Sequence, residues 1–445
     1  MKFVKELISY EDAKKITFEE LNKLTKDKYK KYDLSDCLNK ISYEDVISPA
    51  DLPIFNKSAM DGYSVIAEDV FGASESNPII LEKIEFKESD SVELDKLNNL
   101  SKNVVGDENF ELTNGFATKV STGTKIPNGS NAVVMKEYVK EYDDYIEVYG
   151  GVHPFENVSK IGEDLKKGDV IIKKGEMINP YHIALLASVG IQKIKCVYLK
   201  IGILSTGDEL ISIENYGKEA NNKNDEIKKI DMEYIHKTGS IINSNSLMLK
   251  CLLKNCGFDA KTYPHVEDNP AKIKKCILEI LSENDILMTT GGTSVGDRDY
   301  TFEEISKLGE ILYHGIKLRP GRPVGFSKIK HTDTIKYVYI FSGYPVAAAI
   351  QFELLFNKYF KPLHTLNLPL TRNFASSLGR TDIMRVKLIK KSDINTNSKL
   401  FAEPLRISGS GVISSLSSAD GYAIIDENIE GYEKGDIITI YLFKQ

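Results

Sequence analysis

The chain has 445 residues, of which 42% are hydrophobic and 27% are charged, and its formal net charge is −6. A chain of this length is expected to form about three domains, and its composition is typical of soluble globular proteins. The acidic balance argues against nucleic acid as the main partner. No apolar run resembles a signal peptide and no segment reaches membrane-spanning length, so we expect no membrane association.

Cysteine and histidine are too scattered to indicate a metal or catalytic cluster. The five cysteines include no CxxC pair, which argues against a zinc site and against structural disulfides. This cysteine usage predicts a protein of the reducing cytoplasm. The seven histidines show no grouping that would support a histidine-based dyad or triad.

The first part of the chain is predicted to combine helices with short strands. The first fifty residues resemble helices, with acidic first turns at residues 9–13 and 17–20. Short β-type runs broken by glycine and proline follow at residues 62–67, 117–120 and 131–135. The polar, acidic stretch from about Lys87 to Glu111 is predicted to be a surface insertion.

Strands and helices alternate from residue 197 onward. The predicted strands are residues 197–204, 285–290 and 337–342. The predicted helices are residues 243–257, 268–281 and 346–356. Continuous apolar strands that alternate with helices predict a doubly wound α/β domain with a parallel sheet. The charged run at residues 213–229 is interpreted as a solvated insertion, and the tail from about Leu370 as a separate small β domain.

Glycine-containing loops follow three of the strands in this α/β part. They are STGDEL at residues 205–210, TTGGTSVGDRDY at residues 289–300 and SGYPV at residues 342–346. Ligands bind beyond the carboxyl ends of the strands in such a sheet, and glycine lets backbone N–H groups approach an anion. Any one loop alone is better explained as a tight turn. Three together, two of them with carboxylates, favour an anion-binding site.

The charged residues near these loops suggest how an anion would be held. Carboxylates beside a phosphate repel it unless a cation lies between them, and Mg²⁺ is the usual cation. The candidate carboxylates are Asp208, Glu209, Asp268, Asp297 and Asp299. The proline-rich loop at residues 317–324 presents Lys317, Arg319 and Arg322, which suit an oxyanion. A solvated basic loop is the alternative interpretation.

Taken together, these motifs resemble those of the molybdopterin molybdotransferase family, which includes MoeA and the E domain of gephyrin. The most specific matches are SAMDGY at residues 58–63 and GGTSVG at residues 291–296. Further matching segments occur in the family's order at residues 122–134, 162–169, 205–210, 243–246, 319–323, 379–385 and 408–422.

The resemblance implies a multidomain α/β and β fold. A split N-terminal helical and β region would span residues 1–195, with an inserted β subdomain at about 50–145. A central doubly wound α/β (MoaB/Mog-like) domain would span residues 196–365, and a small C-terminal β domain residues 366–445. A homodimer is also implied, in which each site combines the α/β domain of one subunit with the early domain of the other.

The same resemblance implies the final step of molybdenum cofactor synthesis. Molybdate would be inserted into adenylylated molybdopterin, with magnesium-dependent release of AMP. Molybdopterin adenylyltransferase and cofactor-free molybdoenzymes are the implied protein partners. Three alternatives stay open: an insertase that prefers tungstate, the adenylyltransferase itself, and a gephyrin-like scaffold without catalysis.

Site residues are carried over by position. The implied catalytic residues are Asp61, Thr122, Glu209, Asp268 and Asp299, and the last three of these would bind Mg²⁺. The implied pterin-binding and anion-binding residues are Thr206, Gly207, Gly291, Gly292, Thr293, Ser294, Gly296, Arg319, Arg322, Ser342 and Pro345. In the tail, Arg385 and Ser410 match less specifically.

Two loops depart from the family pattern. The usual PGNP loop is here SGYP, with Ser342 in place of the first proline and Tyr344 in place of the asparagine. The lysines of the usual KPGKP loop are Arg319 and Arg322, which keeps the charge but changes the geometry. These departures either tune the choice between molybdate and tungstate or represent drift.

Overall fold

The protein is described from a computed structural model, which covers residues 7–84, 110–212, 232–292, 300–361, 363–393, 396–405 and 411–443. Most of the acidic stretch 87–111, the charged run 213–229 and the loop residues 293–299 lie outside these ranges, so their interpretations stay predictions. The chain divides into two compact units. The larger unit comprises residues 1–44, 174–180 and 193–445, and the smaller unit comprises residues 45–173 and 181–192.

The described residues form α-helices, short 3-10 turns and many short strands. The α-helices are α1 (Tyr10–Thr25), α2 (Pro180–Ser188), α3 (Met232–Thr238), α4 (Ser244–Asn255), α5 (Pro270–Glu283), α6 (Tyr300–Leu308), α7 (Pro345–Phe352), α8 (Lys358–Phe360) and α9 (Ser414–Ser418). A π-helical segment, Glu353–Asn357, joins α7 to α8. Short 3-10 turns occupy Leu34–Asp36, Ala67–Val70 and Lys136–Tyr138.

The strands of the first 200 residues are β1 (Tyr29–Asp33), β2 (Val46–Ile47), β3 (Lys57–Ser58), β4 (Gly62–Val65), β5 (Ile79–Lys83), β6 (Phe116–Val120), β7 (Ala132–Met135), β8 (Val139–Glu141), β9 (Tyr145–Val148), β10 (Val158–Ser159), β11 (Val170–Ile172) and β12 (Lys193–Val197). The later strands are β13 (Ile201–Ser205), β14 (Leu210–Ile211), β15 (Ile241–Ile242), β16 (Ala260–Thr262), β17 (Ile286–Thr290), β18 (Glu310–His314), β19 (Leu318–Arg319), β20 (Gly325–His331), β21 (Thr334–Phe341), β22 (Thr365–Pro369), β23 (Phe374–Ala375), β24 (Thr381–Asp393), β25 (Thr396–Pro404), β26 (Gly421–Ile425), β27 (Gly431–Tyr432) and β28 (Ile437–Leu442).

The smaller unit is built on a six-stranded sheet with the strand order β7-β4-β6-β5-β9-β8. Strand β4 is buried along its length and pairs antiparallel with both β6 and β7. The core of the smaller unit includes Tyr63, Val65, Leu81, Val134 and Ile146. The three short β-type runs predicted from the sequence are therefore confirmed as neighbouring strands.

The larger unit contains a six-stranded sheet with the order β16-β13-β17-β21-β20-β18. The first four strands are parallel, as predicted, but β20 pairs antiparallel with β21 and β18 pairs antiparallel with β20. Alternate strand residues face opposite layers. Met288 and Tyr339 pack in one cluster with α4 and α7, while Leu287 and Val338 pack in another with α5 and α6. Helices thus cover both faces, which confirms the doubly wound architecture.

Helix α1 belongs to the core of this α/β sheet, although it lies far away in sequence. Ser9 caps the helix by accepting a hydrogen bond from the Asp12 backbone N–H. Leu21 packs in the same cluster as the sheet. Thr17 is fully buried, and its hydroxyl lies 2.8 Å from the hydroxyl of Tyr313. The predicted second helix start at residues 17–20 is therefore wrong, because burial makes Thr17 an interior residue of one continuous helix.

Two further predictions of local structure are wrong. The helical reading of the first fifty residues fails after Thr25, because β1 follows and pairs antiparallel with β12. The single strand predicted at residues 197–204 is two strands: β12 ends at Val197, and β13 begins at Ile201 in a different sheet. The apolar run does not reveal this break, although burial differs across it: β12 is only partly buried, whereas β13 is buried along its length.

The C-terminal part of the larger unit is a β domain, as predicted. Its main sheet has the strand order β19-β24-β26-β28-β22, and β25 pairs with β24. Strand β19, which carries Arg319, pairs parallel with the start of β24. This pairing joins the basic loop of the α/β part to the tail. Across the described ranges, no helix is both long and apolar enough to cross a membrane.

Candidate functional site

The three glycine-containing loops start at one edge of the larger unit's sheet. Ser205 at the end of β13 lies beside Thr290 at the end of β17, and Thr290 lies beside Phe341 at the end of β21. The carboxyl ends of these parallel strands are therefore level. Ligands bind at this position in open α/β sheets.

Buried hydroxyl groups fix the base of these loops. The Ser205 hydroxyl lies 2.7 Å from the hydroxyls of both Thr290 and Ser246. The Thr206 hydroxyl lies 2.9 Å from that of Thr301. These short contacts link the first two loops to α4 and α6, so the loops start from a fixed base.

Glycine is required where the loops approach one another. Gly291 has a φ of +93°, and a Cβ there would lie 2.5 Å from the carbonyl oxygen of Thr206. Gly292 has a φ of +62°, and its Cβ would lie 2.4 Å from the Thr301 hydroxyl. A larger residue would push the loops apart. The next residues of this loop, including Thr293, Ser294, Gly296 and Asp299, lie outside the described residues.

Three predicted carboxylates lie at the rim of these loops. The Glu209 carboxylate lies over Gly207, where a Cβ would approach it to 2.7 Å. Asp208 accepts a hydrogen bond of 2.9 Å from the backbone N–H of Asp268, which joins the first loop to the start of α5. Glu209 and Asp268 are both exposed. Within the described ranges, no three acidic, cysteine or histidine side chains form a group that could hold a metal.

A basic cavity of about 460 Å³ lies between the loop at residues 317–323 and the start of the C-terminal domain. Its lining includes the predicted Lys317, Arg319 and Arg322, together with Arg380 and Arg385. Arg380 donates a 2.9 Å hydrogen bond to Asp382, so its charge is partly balanced. Sequence reasoning did not assign Arg380, although it lies in the matching segment at residues 379–385.

Arg385 is the unusual member of this cavity. Its side chain is fully buried, at 0% exposure. None of its three guanidinium nitrogens has a hydrogen-bond partner in the part of the chain that the structure describes. Burial lowers the pKa of Arg385. A buried guanidinium without a partner is costly, so this cavity is suited to bind an anion.

The departing SGYP loop lies beside the second loop. Gly343 approaches Gly291, since a Cβ on Gly343 would lie 3.6 Å from the Gly291 Cα. The Asn245 side chain donates a 2.7 Å hydrogen bond to the Gly343 carbonyl. Ser342 is buried and Tyr344 is exposed, while Pro345 begins α7. Asn245 belongs to the matching segment at residues 243–246, but the sequence analysis gave it no role.

Asp61 and Thr122 lie in the smaller unit and contact each other directly. Asp61 accepts a 2.8 Å hydrogen bond from the Thr122 backbone N–H and a 3.0 Å bond from its hydroxyl. These two bonds, with a smaller contribution from Lys136, lower the pKa of Asp61 below its ordinary value. Asp61 is therefore an ionised carboxylate at neutral pH, which suits binding a cation or accepting a hydrogen bond.

Replacing Thr122 by valine is expected to raise the pKa of Asp61, because it removes the hydroxyl donor and keeps the backbone donor. Replacement by serine keeps both donors and serves as the control. A carboxyl NMR titration of both variants measures the effect. An Asp61 pKa that is the same in Thr122→Val and in the parent protein would contradict the role of the hydroxyl.

Comparison with known proteins finds similarity along nearly the whole chain. Residues 8–190 match the MoeA N-terminal region (domains I and II), residues 202–362 the probable molybdopterin binding domain, and residues 367–443 the MoeA C-terminal region (domain IV). A Methanocaldococcus jannaschii protein, provisionally described as a molybdopterin biosynthesis protein, is 51% identical over 100% of both chains. A molybdopterin molybdenumtransferase of Haemophilus influenzae is 28% identical and covers 98% of this chain and 99% of its own.

A solved structure is also similar along the whole chain. The crystal structure of the molybdopterin biosynthesis MoeA protein from Pyrococcus horikoshii has a TM-score of 0.72 at 30% identity. The similarity covers 98% of this chain and 100% of that chain. The glycine loops, the basic cavity and these matches lead to one conclusion: the chain belongs to the MoeA family of molybdopterin biosynthesis proteins.

Proposed function

We propose that this protein is a molybdopterin molybdenumtransferase, which inserts molybdate into adenylylated molybdopterin and releases AMP. The observation that carries the proposal is Arg385, a lining residue of the basic cavity whose fully buried guanidinium has no partner among the described residues. The Haemophilus influenzae relative bears the same function in its name.

Molybdate fits the charge and chemistry of this cavity. It is a tetrahedral dianion with oxygen acceptors only, and a guanidinium presents donors only. Arg319 and Arg322 line the same cavity and are exposed, so they are able to attract the anion from solvent. Inside, an oxyanion would satisfy the Arg385 donors and offset the cost of burying its charge. Tungstate has the same shape and charge, so it is the natural competing ligand.

The glycine loops are proposed to bind the pterin substrate. Gly291 and Gly343 have no Cβ atoms, and this lets Gly291 lie close to Thr206 and Gly343 close to Gly291 near the strand ends. Backbone N–H groups in such loops bind phosphate. Thr206, Gly207, Ser342 and Pro345 belong to the same set of loops, and the pterin's terminal phosphate is the proposed ligand.

Magnesium is proposed as the cation of this site. Glu209 and Asp268 are exposed oxygen donors on neighbouring loops, which suits an ion that keeps several waters and uses few protein ligands. When bound, Mg²⁺ would neutralise the phosphoanhydride oxygens. Asp61 and Thr122 are proposed as further catalytic residues. A homodimer, with molybdopterin adenylyltransferase and cofactor-free molybdoenzymes as partners, completes the proposal.

The rival functions explain fewer of the observations. An adenylyltransferase built on the molybdopterin-binding domain alone would not need the regions that match MoeA at residues 8–190 and 367–443. A pure scaffold would have no use for a buried arginine that lacks a partner among the described residues. We therefore favour the transferase, with preference for molybdate over tungstate to be measured.

The direct test is turnover. The full-length protein would be incubated with adenylylated molybdopterin, Mg²⁺ and either molybdate or tungstate. AMP release and activation of a cofactor-free molybdoenzyme would be followed together. Release of AMP that depends on the oxyanion is the expected result. No AMP release would refute the proposal, and a requirement for ATP with unmodified molybdopterin would identify an adenylyltransferase instead.

Asp299→Asn is expected to lose turnover at least about 100-fold while the protein keeps its fold, because a neutral amide oxygen binds Mg²⁺ more weakly than a carboxylate does. AMP release and thermal unfolding of the variant are the two measurements. Activity equal to that of the parent protein would show that Asp299 is not a metal ligand.

A further inference from the structure

Gln351 joins two of the loops described above. It lies in α7 and is fully buried, at 0% exposure. Its side-chain oxygen accepts a 2.9 Å hydrogen bond from the backbone N–H of Ser342. Its side-chain nitrogen donates to the carbonyl oxygens of Gly321 at 2.9 Å and Pro323 at 3.0 Å. One buried amide therefore links the loop after β21 to the basic loop.

The Ser342 contact follows from the departure of this chain from the usual PGNP loop. A proline at residue 342 would have no N–H, whereas Ser342 places an N–H donor at a position that is 2% exposed. A buried N–H without an acceptor destabilises the folded state. Gln351 supplies that acceptor. The Ser342 hydroxyl is also used, since it accepts a 3.2 Å hydrogen bond from the Tyr344 N–H.

The basic loop is shaped to fit the same side chain. Gly321 has a φ of +113°, and a Cβ there would lie 3.1 Å from the Gln351 Cγ and 3.3 Å from its side-chain nitrogen. The absence of a side chain at Gly321 therefore leaves room for the Gln351 amide. Gly321 lies between Arg319 and Arg322, so the two carbonyls held by Gln351 belong to the segment that lines the oxyanion cavity.

We propose that Gln351 is a positioning residue, which fixes the basic loop against the loop at residues 342–345 and so sets the affinity of the cavity for its oxyanion. This inference rests on the proposed function of the cavity. It also gives a physical account of the Ser342 departure: serine in place of proline creates a donor through which the two loops become connected.

The test uses Gln351→Met, which fills a similar volume and removes all three hydrogen bonds. Molybdate binding to the full-length protein would be measured by calorimetry, with no pterin present. We expect an affinity for molybdate about tenfold weaker, which corresponds to about 1.4 kcal/mol. In the turnover assay, the KM for molybdate should rise about tenfold while kcat changes less than about threefold. The basic loop loses two of the three hydrogen bonds, whereas the pterin loops that contain Thr206 and Gly291 lose none.

A matched control removes another buried amide at a distance from the site. Asn284 is 4% exposed, and its side chain donates to the Tyr263 hydroxyl at 2.9 Å and the Ile280 carbonyl at 2.8 Å. Asn284→Leu should lower stability as Gln351→Met does, but it should leave the molybdate affinity unchanged. Equal losses of affinity in both variants would reduce the role of Gln351 to general stability and overturn the inference.

The double variant Ser342→Pro with Gln351→Met distinguishes the hydrogen bond to Ser342 from the two hydrogen bonds to the basic loop. Removing the Ser342 N–H removes the donor that lost its acceptor, so stability should recover relative to Gln351→Met alone. The Gly321 and Pro323 carbonyls still have no donor, so the weaker molybdate affinity should persist. Recovery of affinity along with stability would overturn the inference.

A readout independent of molybdate distinguishes the failure of this inference from failure of the proposed function. Amide hydrogen exchange in residues 317–324 should be at least about tenfold faster in Gln351→Met than in the parent protein and Asn284→Leu. Unchanged exchange would overturn the positioning role whatever the cavity binds. If exchange is faster in Gln351→Met but the parent protein itself does not bind molybdate, the positioning role is supported and the proposed ligand is refuted.

Discussion

Replacing Arg385 by methionine is expected to abolish molybdate binding and turnover while leaving the folded protein at least as stable as before. The guanidinium is fully buried and has no partner among the described residues, so its charge opposes folding. Methionine fills a similar volume without a charge. Replacing buried charges by apolar side chains is often neutral or stabilising, and we expect the free energy of unfolding to rise by about 1 to 3 kcal/mol.

Arg380→Met is the matched control for this experiment, because Arg380 lines the same cavity but donates to Asp382. Asp382 is only 4% exposed, so the loss of its partner should lower stability. The two substitutions should therefore change stability in opposite directions. Urea unfolding measures the stability of each variant, and calorimetry measures its affinity for molybdate. A variant Arg385→Met that binds molybdate as tightly as the parent protein would exclude this cavity as the oxyanion site.

Gly291→Ala is expected to have the second large effect, on stability and on pterin binding together. The residue has a φ of +93°, and the added Cβ would lie 2.5 Å from the carbonyl oxygen of Thr206. Backbone strain and the forced separation of two loops together should cost about 2 to 4 kcal/mol. Binding of adenylylated molybdopterin should be lost, because the proposed phosphate-binding backbone moves.

Gly435→Ala isolates the contribution of the contact. Gly435 has a φ of +97°, and a Cβ there would meet no atom within 4 Å. The Gly435→Ala substitution therefore introduces backbone strain similar to that of Gly291→Ala, but without a clash. Urea unfolding of the two variants should differ by the cost of displacing the Thr206 loop, and the Gly435 variant should bind the pterin normally. Equal stability of the two variants would show that the loops separate at no cost.

Local signals in the sequence predicted much of the α/β fold. Asn243 and Asn269 each accept a hydrogen bond from the backbone N–H three residues later, and both lie at the starts of predicted helices. Such caps act within one turn of chain, so the sequence alone reveals them. The break between Val197 and Ile201 is of another kind. It depends on which sheet each half joins, and an apolar run carries no information about its partner strand.

The same distinction applies to the candidate site. Gly291 and Arg319 lie in short motifs, and the sequence marks such motifs directly. The importance of Arg385 arises from its burial in a cavity whose other side is formed by residues about sixty positions earlier. Gln351 resembles an ordinary helix residue until its contacts to Ser342 and Gly321 are known. Long-range packing determines the burial of Arg385 and the contacts of Gln351, and neither can be read from residue type and spacing.

The burial of α1 against the α/β sheet has a consequence for how the chain can be divided. The contact between Thr17 and Tyr313 spans 296 positions, and Leu21 belongs to the same core as the central strands. A fragment cut at the limits of the molybdopterin-binding domain, residues 202–362, would expose the apolar surface that α1 covers. Exposed surface of that kind promotes aggregation. During synthesis, α1 must likewise wait for its partner strands until most of the chain has left the ribosome.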